Sequence, residues 1–243
     1  MQDLIYHDQY APITSEIGFL ECDAKTAADA FQEWQLPIQS RRGVHLNRRD
    51  ITGDMPAAIQ ALLPLTSVEA RRYLFLPTLS TWTAFLDSGW RGTDVFSTIS
   101  HLATMVGRRG IRAVSTPHTI RKTPAGERGR FGATMLEVYS PDSSSCSFLN
   151  IQRSIGCIND GGRWRFDANG EPLEFERLEC YSSRHIRNRF TPEMLDEYLS
   201  HFGIRFFSTN FYKVSQPAYL IYKEGLSAPG MKEYSLLDAR ELY

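Results

Sequence analysis

Four side chains suited to recognition or chemistry lie close together in the segment 80–94. Asp87 and Asp94 are seven positions apart, and Trp90 and Arg91 lie between them. Two neighbouring carboxylates are the residue types that general acid–base catalysis or metal binding requires. Tryptophan and arginine are the residue types enriched among interface hot spots. The segment is therefore the first candidate for a functional site.

The same stretch is also typical of an ordinary strand–turn–helix junction. Asp87-Ser-Gly89 is typical of a turn that closes a strand, and Gly92-Thr-Asp94 is typical of a helix entry with Thr93 or Asp94 as N-cap. Further ligands at recognisable spacing are missing, so turn and cap roles are favoured for the aspartates. A turn between two rigid elements still presents its exposed groups to a partner.

His118 is a second candidate because Ser115-Thr-Pro-His-Thr119 follows a predicted strand. A lone histidine without an assigned carboxylate is weak evidence for a catalytic base. No G-x-S-x-G, no P-loop and no G-x-G-x-x-G after a strand occurs in the sequence. One alternative nevertheless stays open: a small transferase or hydrolase with Asp87, Asp94 and His118 in one cleft.

The charge of the chain is unevenly distributed along its length. The net charge is −1, but residues 41–130 carry six acidic and fourteen basic residues. Arginine accounts for 22 of the 27 basic residues, and it occurs in pairs: Arg41-Arg42, Arg48-Arg49, Arg71-Arg72 and Arg108-Arg109. The arginine fork suits carboxylates and phosphates. Arg108 and Arg109 therefore join the candidate binding residues. A nucleotide-binding or nucleic-acid-binding module is a further alternative, although the balanced net charge disfavours nucleic acid as partner.

Metal, cofactor and membrane signals are missing from the sequence. The four cysteines lie far apart without zinc-site spacing: Cys22, Cys146, Cys157 and Cys180. No run of 18 uncharged apolar residues occurs, and the first ten residues lack a basic region followed by an apolar core. We therefore expect a cytoplasmic protein with reduced thiols, no bound metal, no cofactor and no membrane contact.

Caps and apolar stripes predict helices over Asp23–Trp34, Met55–Leu63, Thr93–Gly107 and Thr191–Phe202. The first of these helices is expected to stop at Leu36-Pro37. Strands are predicted over 15–22, 43–51, 72–76, 81–86, 111–114, 131–139, 146–155, 163–166 and 219–222.

These elements predict an α+β fold, a mostly antiparallel mixed sheet covered by helices on one face. Residues 115–130 are polar, basic and rich in proline and glycine, which is typical of a mobile loop. We expect a single domain over residues 1–243. A division into two lobes near 115–130 stays open.

Three segments of the chain carry a resemblance to a known class of proteins: Phe19 to Trp34, Trp82 to Gly110 and Trp164 to Gly203. They resemble bacterial toxin-immunity proteins of polymorphic toxin and type VI secretion systems. Within the third, the resemblance is carried by residues 164–173 and 184–199, and no residue in it is a diagnostic signature. The resemblance implies a cytosolic protein that binds a cognate toxin and occludes its active or substrate-binding site. Such a protein needs surface complementarity rather than a catalytic site of its own.

Overall fold

The computed structural model describes residues 4–124, 126–142, 150–212, 215–224 and 231–242. The strands are β1 (Glu16–Leu20), β2 (His45–Ile51), β3 (Leu65–Thr66), β4 (Tyr73–Pro77), β5 (Thr83–Asp87), β6 (Gly110–Thr116), β7 (Arg121–Thr123), β8 (Gly126–Arg128), β9 (Ala133–Tyr139), β10 (Ile151–Asn159), β11 (Trp164–Gly170), β12 (Ala218–Glu224) and β13 (Glu233–Tyr234). The helices are α1 (Ala24–Ser40), α2 (Met55–Leu62), α3 (Phe96–Val106), α4 (Pro192–His201) and α5 (Leu236–Leu242).

Nine strands form one sheet in the order β11-β10-β9-β6-β1-β5-β4-β12-β2. Every described strand pair in this sheet is antiparallel. The strands β13 and β3 form a second small sheet, and β7 and β8 form a hairpin. The predicted α+β class and the mostly antiparallel pairing are confirmed.

Helices cover both faces of the large sheet, whereas the sequence predicted helices on one face. Helices α1 and α3 pack through Phe31 and Ile99 onto the face that includes Leu20. Helices α2 and α4 belong to the core on the other face, where Phe19 points. Neighbouring strand residues point to opposite faces, and β1 is apolar on both sides because both faces are covered.

Helix α1 begins as predicted but ends later. Asp23 caps it by accepting the Thr26 backbone N–H at 2.9 Å. The helix continues through Pro37 to Ser40, so the predicted stop at Leu36-Pro37 is wrong. Pro37 lies in the last turn, where its missing N–H removes a single intrahelical hydrogen bond. The backbone carbonyl of the buried Gln39 accepts backbone N–H groups that follow it in the chain. These hydrogen bonds close the end of the helix.

Helix α3 starts later than predicted, and neither expected cap residue caps it. The helix begins at Phe96, and Val95 at the N-cap makes no side-chain cap. The Thr93 hydroxyl instead accepts the Asp87 backbone N–H and donates to a carbonyl of the N-terminal segment. Glu16 of β1 accepts the Val95 N–H at 3.3 Å, so a strand residue distant in sequence satisfies this helix end.

Helix α4 matches its prediction closely. Thr191 accepts the Met194 N–H, Pro192 occupies the first turn, and Leu195 and Leu199 are fully buried. Helix α2 also begins where it was predicted, and it ends one residue before the predicted Leu63. The predicted strand over 146–155 is present from Ile151 onward, and its first part, with Cys146, lies outside the described residues.

The segment 115–130 has regular structure that the sequence did not predict. It links β6 to β9, which are neighbours in the sheet and pair from Gly110 to Thr116. Between them the chain forms the β7–β8 hairpin, in which Arg121 lies opposite Arg128. The hairpin therefore projects from one end of the sheet beside paired strands.

Candidate functional site

One end of the sheet collects most of the predicted site residues. The strand registers place Asp87 at the end of β5, Thr116 at the end of β6 and Trp164 at the start of β11 on this same side. We call it the Asp87 end. The turn 88–95 and the loop that carries His118 both emerge here.

Asp87 is buried, with 1% of its surface exposed, and its carboxylate is fully engaged. It accepts the Gly89 N–H at 2.7 Å and the Asp94 N–H at 3.1 Å. Arg71 Nη1 lies 3.3 Å from Asp87 Oδ2. Burial raises the pKa of Asp87 from 3.8 to about 6, even though Arg71 and the backbone N–H groups oppose that rise.

Asp94 belongs to the same network, so the two predicted aspartates are brought together. Arg71 Nη1 lies 3.1 Å from Asp94 Oδ2 and thus bridges both carboxylates. Asp94 is exposed, in contrast to Asp87. This bridge fixes the turn, because Arg71 just before β4 holds the end of β5 and the residues that lead into α3 together.

Trp90 and Arg91 form a stacked arrangement on this turn. The Trp90 ring stacks on Tyr234 of β13 at 5.0 Å, and the Arg91 guanidinium lies 4.7 Å from the Trp90 ring centroid. Trp90 is half-buried and Arg91 is exposed. Arg91 also lines a cavity of about 380 Å³ together with Arg130 and Phe131. The turn therefore presents a cation supported by an aromatic ring.

His118 lies beside an aromatic and cationic cluster at the same end. Its Nδ1 accepts the Gly132 N–H at 3.2 Å, and its ring lies 5.6 Å from that of Trp164. The Arg187 guanidinium lies 4.7 Å from the Trp164 ring centroid. These groups and the start of α4 line a cavity of about 340 Å³, which neither Asp87 nor Asp94 lines. Neither this cavity nor the cavity of about 380 Å³ brings together the three residues of the enzyme hypothesis.

Arg108 and Arg109 lie at the opposite end of the sheet. They follow α3 and precede Gly110, which pairs with Leu20 at the far end of β1. Arg109 donates two hydrogen bonds of 2.8 Å to the Glu21 carboxylate. Arg108 is exposed and lines a cavity of about 730 Å³ that also includes Cys22. The predicted binding residues thus divide between two ends of the molecule.

Two arginines that organise the Asp87 end were not among the predicted site residues. Arg71 was noted as one of a pair, but its bridge to Asp87 and Asp94 spans strands and has no local signal. Arg130 is 9% exposed, pairs with Asp8 and donates to Ser15 Oγ at 2.9 Å. Its burial shows that the last residue of the segment 115–130 packs against the N-terminal part of the chain.

Among the described residues, no group of three or more histidine, cysteine, aspartate and glutamate side chains could hold a metal ion. Within those same ranges, no helix is both long and apolar enough to cross a membrane. The cysteines described are free, and burial raises the pKa of Cys22 to about 12, which disfavours its thiolate.

Comparison with protein-family models, with curated proteins and with solved structures finds no match to this chain. The function is therefore inferred from the sequence and from the geometry of the site.

Proposed function

We propose that the protein is a cytosolic, immunity-type binding protein that neutralises a cognate bacterial toxin by covering its active or substrate-binding site. The observation that carries the proposal is the rigid display of Trp90 and Arg91 on the turn held by Asp87, Asp94 and Arg71. A preorganised aromatic–arginine pair is the kind of anchor that supplies most of the binding energy at protein interfaces.

The chemistry of the aspartates favours binding over catalysis. A general base needs a free lone pair directed at a substrate. Asp87 is buried and accepts two backbone N–H groups, and Arg71 occupies the space between it and Asp94. His118 directs its Nδ1 at the Gly132 backbone. These groups therefore support a fixed surface rather than a reacting centre.

The proposed partner presents an acidic surface. The exposed Arg91 and the Arg187 guanidinium both lie against tryptophan rings at the Asp87 end. Complementary charge on the partner would speed association and fix the orientation of the complex. If a secreted effector is encoded immediately upstream, it is the partner to test.

Two arginines at opposite ends of the sheet provide a matched test of where the toxin binds. Arg91→Ala is expected to weaken the affinity for the toxin about 30-fold, which corresponds to roughly 2 kcal/mol at a hot spot. Arg108→Ala removes another exposed arginine, at the opposite end of the sheet, and should leave the affinity unchanged. Calorimetric titration of each variant with the toxin measures both. Loss of affinity in Arg108→Ala alone would contradict the proposed surface.

Trp90 needs its own control because its ring also packs against Tyr234. Trp90→Ala removes both the anchor and the stack, whereas Tyr234→Ala removes the stack alone. We expect both variants to melt at somewhat lower temperature, and only Trp90→Ala to lose toxin affinity about 30-fold. Equal loss in both would mean that Trp90 acts through the packing of the turn.

A further inference from the structure

The two faces of the β7–β8 hairpin differ in the charges that lie opposite each other across the strands. On one face Lys122 lies opposite Glu127, which is a favourable cross-strand pairing. On the other face Arg121 lies directly opposite Arg128. Like charges in this position destabilise a hairpin unless an anion lies between them. The hairpin has only three residues in each strand, so little pairing energy is available to offset that repulsion.

The face with the two arginines lines a cavity, and more positive charge converges there. Arg121, Arg128, Arg130 and Arg240 of α5 all line a cleft of about 530 Å³. Among the side chains that the structure describes, no carboxylate forms an ion pair with Arg121, Arg128 or Arg240. Arg240 makes one hydrogen bond, from its Nε to the Leu236 carbonyl. Three arginines thus line one cleft without an ion-pair partner among those side chains.

Hydrogen bonds at the base of the hairpin fix where its backbone leaves the sheet. Thr119 N–H donates to the Arg130 carbonyl at 2.9 Å, and Arg130 N–H donates to the Thr119 hydroxyl at 2.9 Å. Arg130 is anchored below by Asp8 and by Ser15. Gly129 has a φ of +109° and permits the close approach to Thr119. The cleft is a built feature of the fold.

We propose that this cleft binds the di- or triphosphate group of a small ligand. Guanidinium forks match phosphate oxygens, and three uncompensated cations match a group with several negative charges. The volume suits a small molecule, and the adjoining cavity of about 380 Å³, which shares Gly129 and Arg130, has room for the rest of it. The net charge of −1 opposes a long polyanion as the occupant. Arg91 of the proposed toxin surface also lines the adjoining cavity, so the two sites are neighbours, but phosphate binding in the cleft of Arg121, Arg128 and Arg240 does not depend on the toxin.

The test is calorimetric titration of the full chain with inorganic pyrophosphate and with adenosine triphosphate. Saturable binding of both is expected, and it should weaken as salt concentration rises. Arg121→Ala and Arg128→Ala should each weaken binding about tenfold, since each removes a charge-assisted contact. Lys122→Ala, on the other face of the same hairpin, should change binding less than about twofold. The melting temperatures of the two arginine variants should stay equal or rise, because each substitution relieves the repulsion.

Three results would overturn the proposal. The first is that neither probe shows saturable binding at millimolar concentration. The second is an equal loss of affinity in Lys122→Ala and Arg128→Ala, which would indicate a general effect of charge. The third is binding of a single-stranded oligonucleotide of about 15 nucleotides when pyrophosphate and adenosine triphosphate fail to bind, which would assign the cleft to nucleic acid.

Discussion

At the scale of single residues, the buried carboxylate of Asp87 is the group whose environment differs most from water among the site residues. Its burial penalises the ionised form more strongly than Arg71 and two backbone N–H groups favour it, so its pKa lies at about 6. Ionised Asp87 still positions the turn, because each of its oxygens accepts a backbone N–H. This residue therefore couples the stability of the turn to pH.

The sign of that coupling follows from the two pKa values. The folded protein holds the proton up to about pH 6, whereas the unfolded chain releases it near 3.8. Stability from this group is therefore greatest below about pH 4 and is lost as pH rises to about 6, by about 3 kcal/mol. Asp87→Asn removes the titration. Urea unfolding of both proteins between pH 4 and pH 7 measures it.

We expect the wild-type free energy of unfolding to fall relative to that of Asp87→Asn across this interval. Other titrating groups are common to both proteins and cancel in the difference. A difference that does not change with pH would show that Asp87 keeps an ordinary pKa in the folded protein.

At the scale of elements, we expect the backbone of the β7–β8 hairpin to tolerate a side chain less well at Gly129 than at Gly126. Gly126 and Gly129 have nearly equal φ values of +110° and +109°. A Cβ at Gly126 would meet nothing within 4 Å, whereas one at Gly129 would lie 2.3 Å from the Thr119 carbonyl oxygen. The two positions share the backbone strain and differ only in the contact.

Alanine at each position separates these two effects. Gly126→Ala is expected to cost about 1–3 kcal/mol of local backbone strain, and Gly129→Ala should cost more because the backbone of Thr119 must also move. Chemical unfolding gives the free energies, and hydrogen exchange of the Thr119 and Arg130 amides reports the hairpin base. Equal costs would mean that the hairpin shifts freely away from Thr119.

At the scale of the whole molecule, a single sheet includes strands from both halves of the chain. Strand β1 pairs with β6 across five positions, and β12 returns from the second half to lie between β4 and β2. Residues 115–130 connect two strands that are paired neighbours. Continuous pairing of this kind favours unfolding as one unit.

Two tryptophans in different halves provide reporters for this expectation. Trp82 is buried and its indole N–H donates to the Phe202 carbonyl, and Trp164 lies at the start of β11. Variants that keep only Trp82 or only Trp164 should show coincident fluorescence transitions in denaturant, and these should match far-ultraviolet circular dichroism. Separate midpoints would instead place a domain boundary near 115–130.

The sequence by itself determined features that depend on residues a few positions apart. Asp23 and Thr191 were identified as caps because a cap bonds to an amide two or three positions later. The stripes of α1 and α4 and the antiparallel α+β class followed from periodicity in the same way. Trp90 and Arg91 likewise lie on a turn that the sequence predicted.

Only the tertiary structure decided which distant groups meet. Strand order placed Arg108 at the opposite end from Arg91, and register placed Arg121 opposite Arg128. Glu16 capped α3 in place of the expected local residues. Pairing between strands is fixed by long-range packing energies that no short window of sequence contains. For that reason the position of Trp90 and Arg91 on a turn was predictable, whereas the arginine bridge and the basic cleft were not.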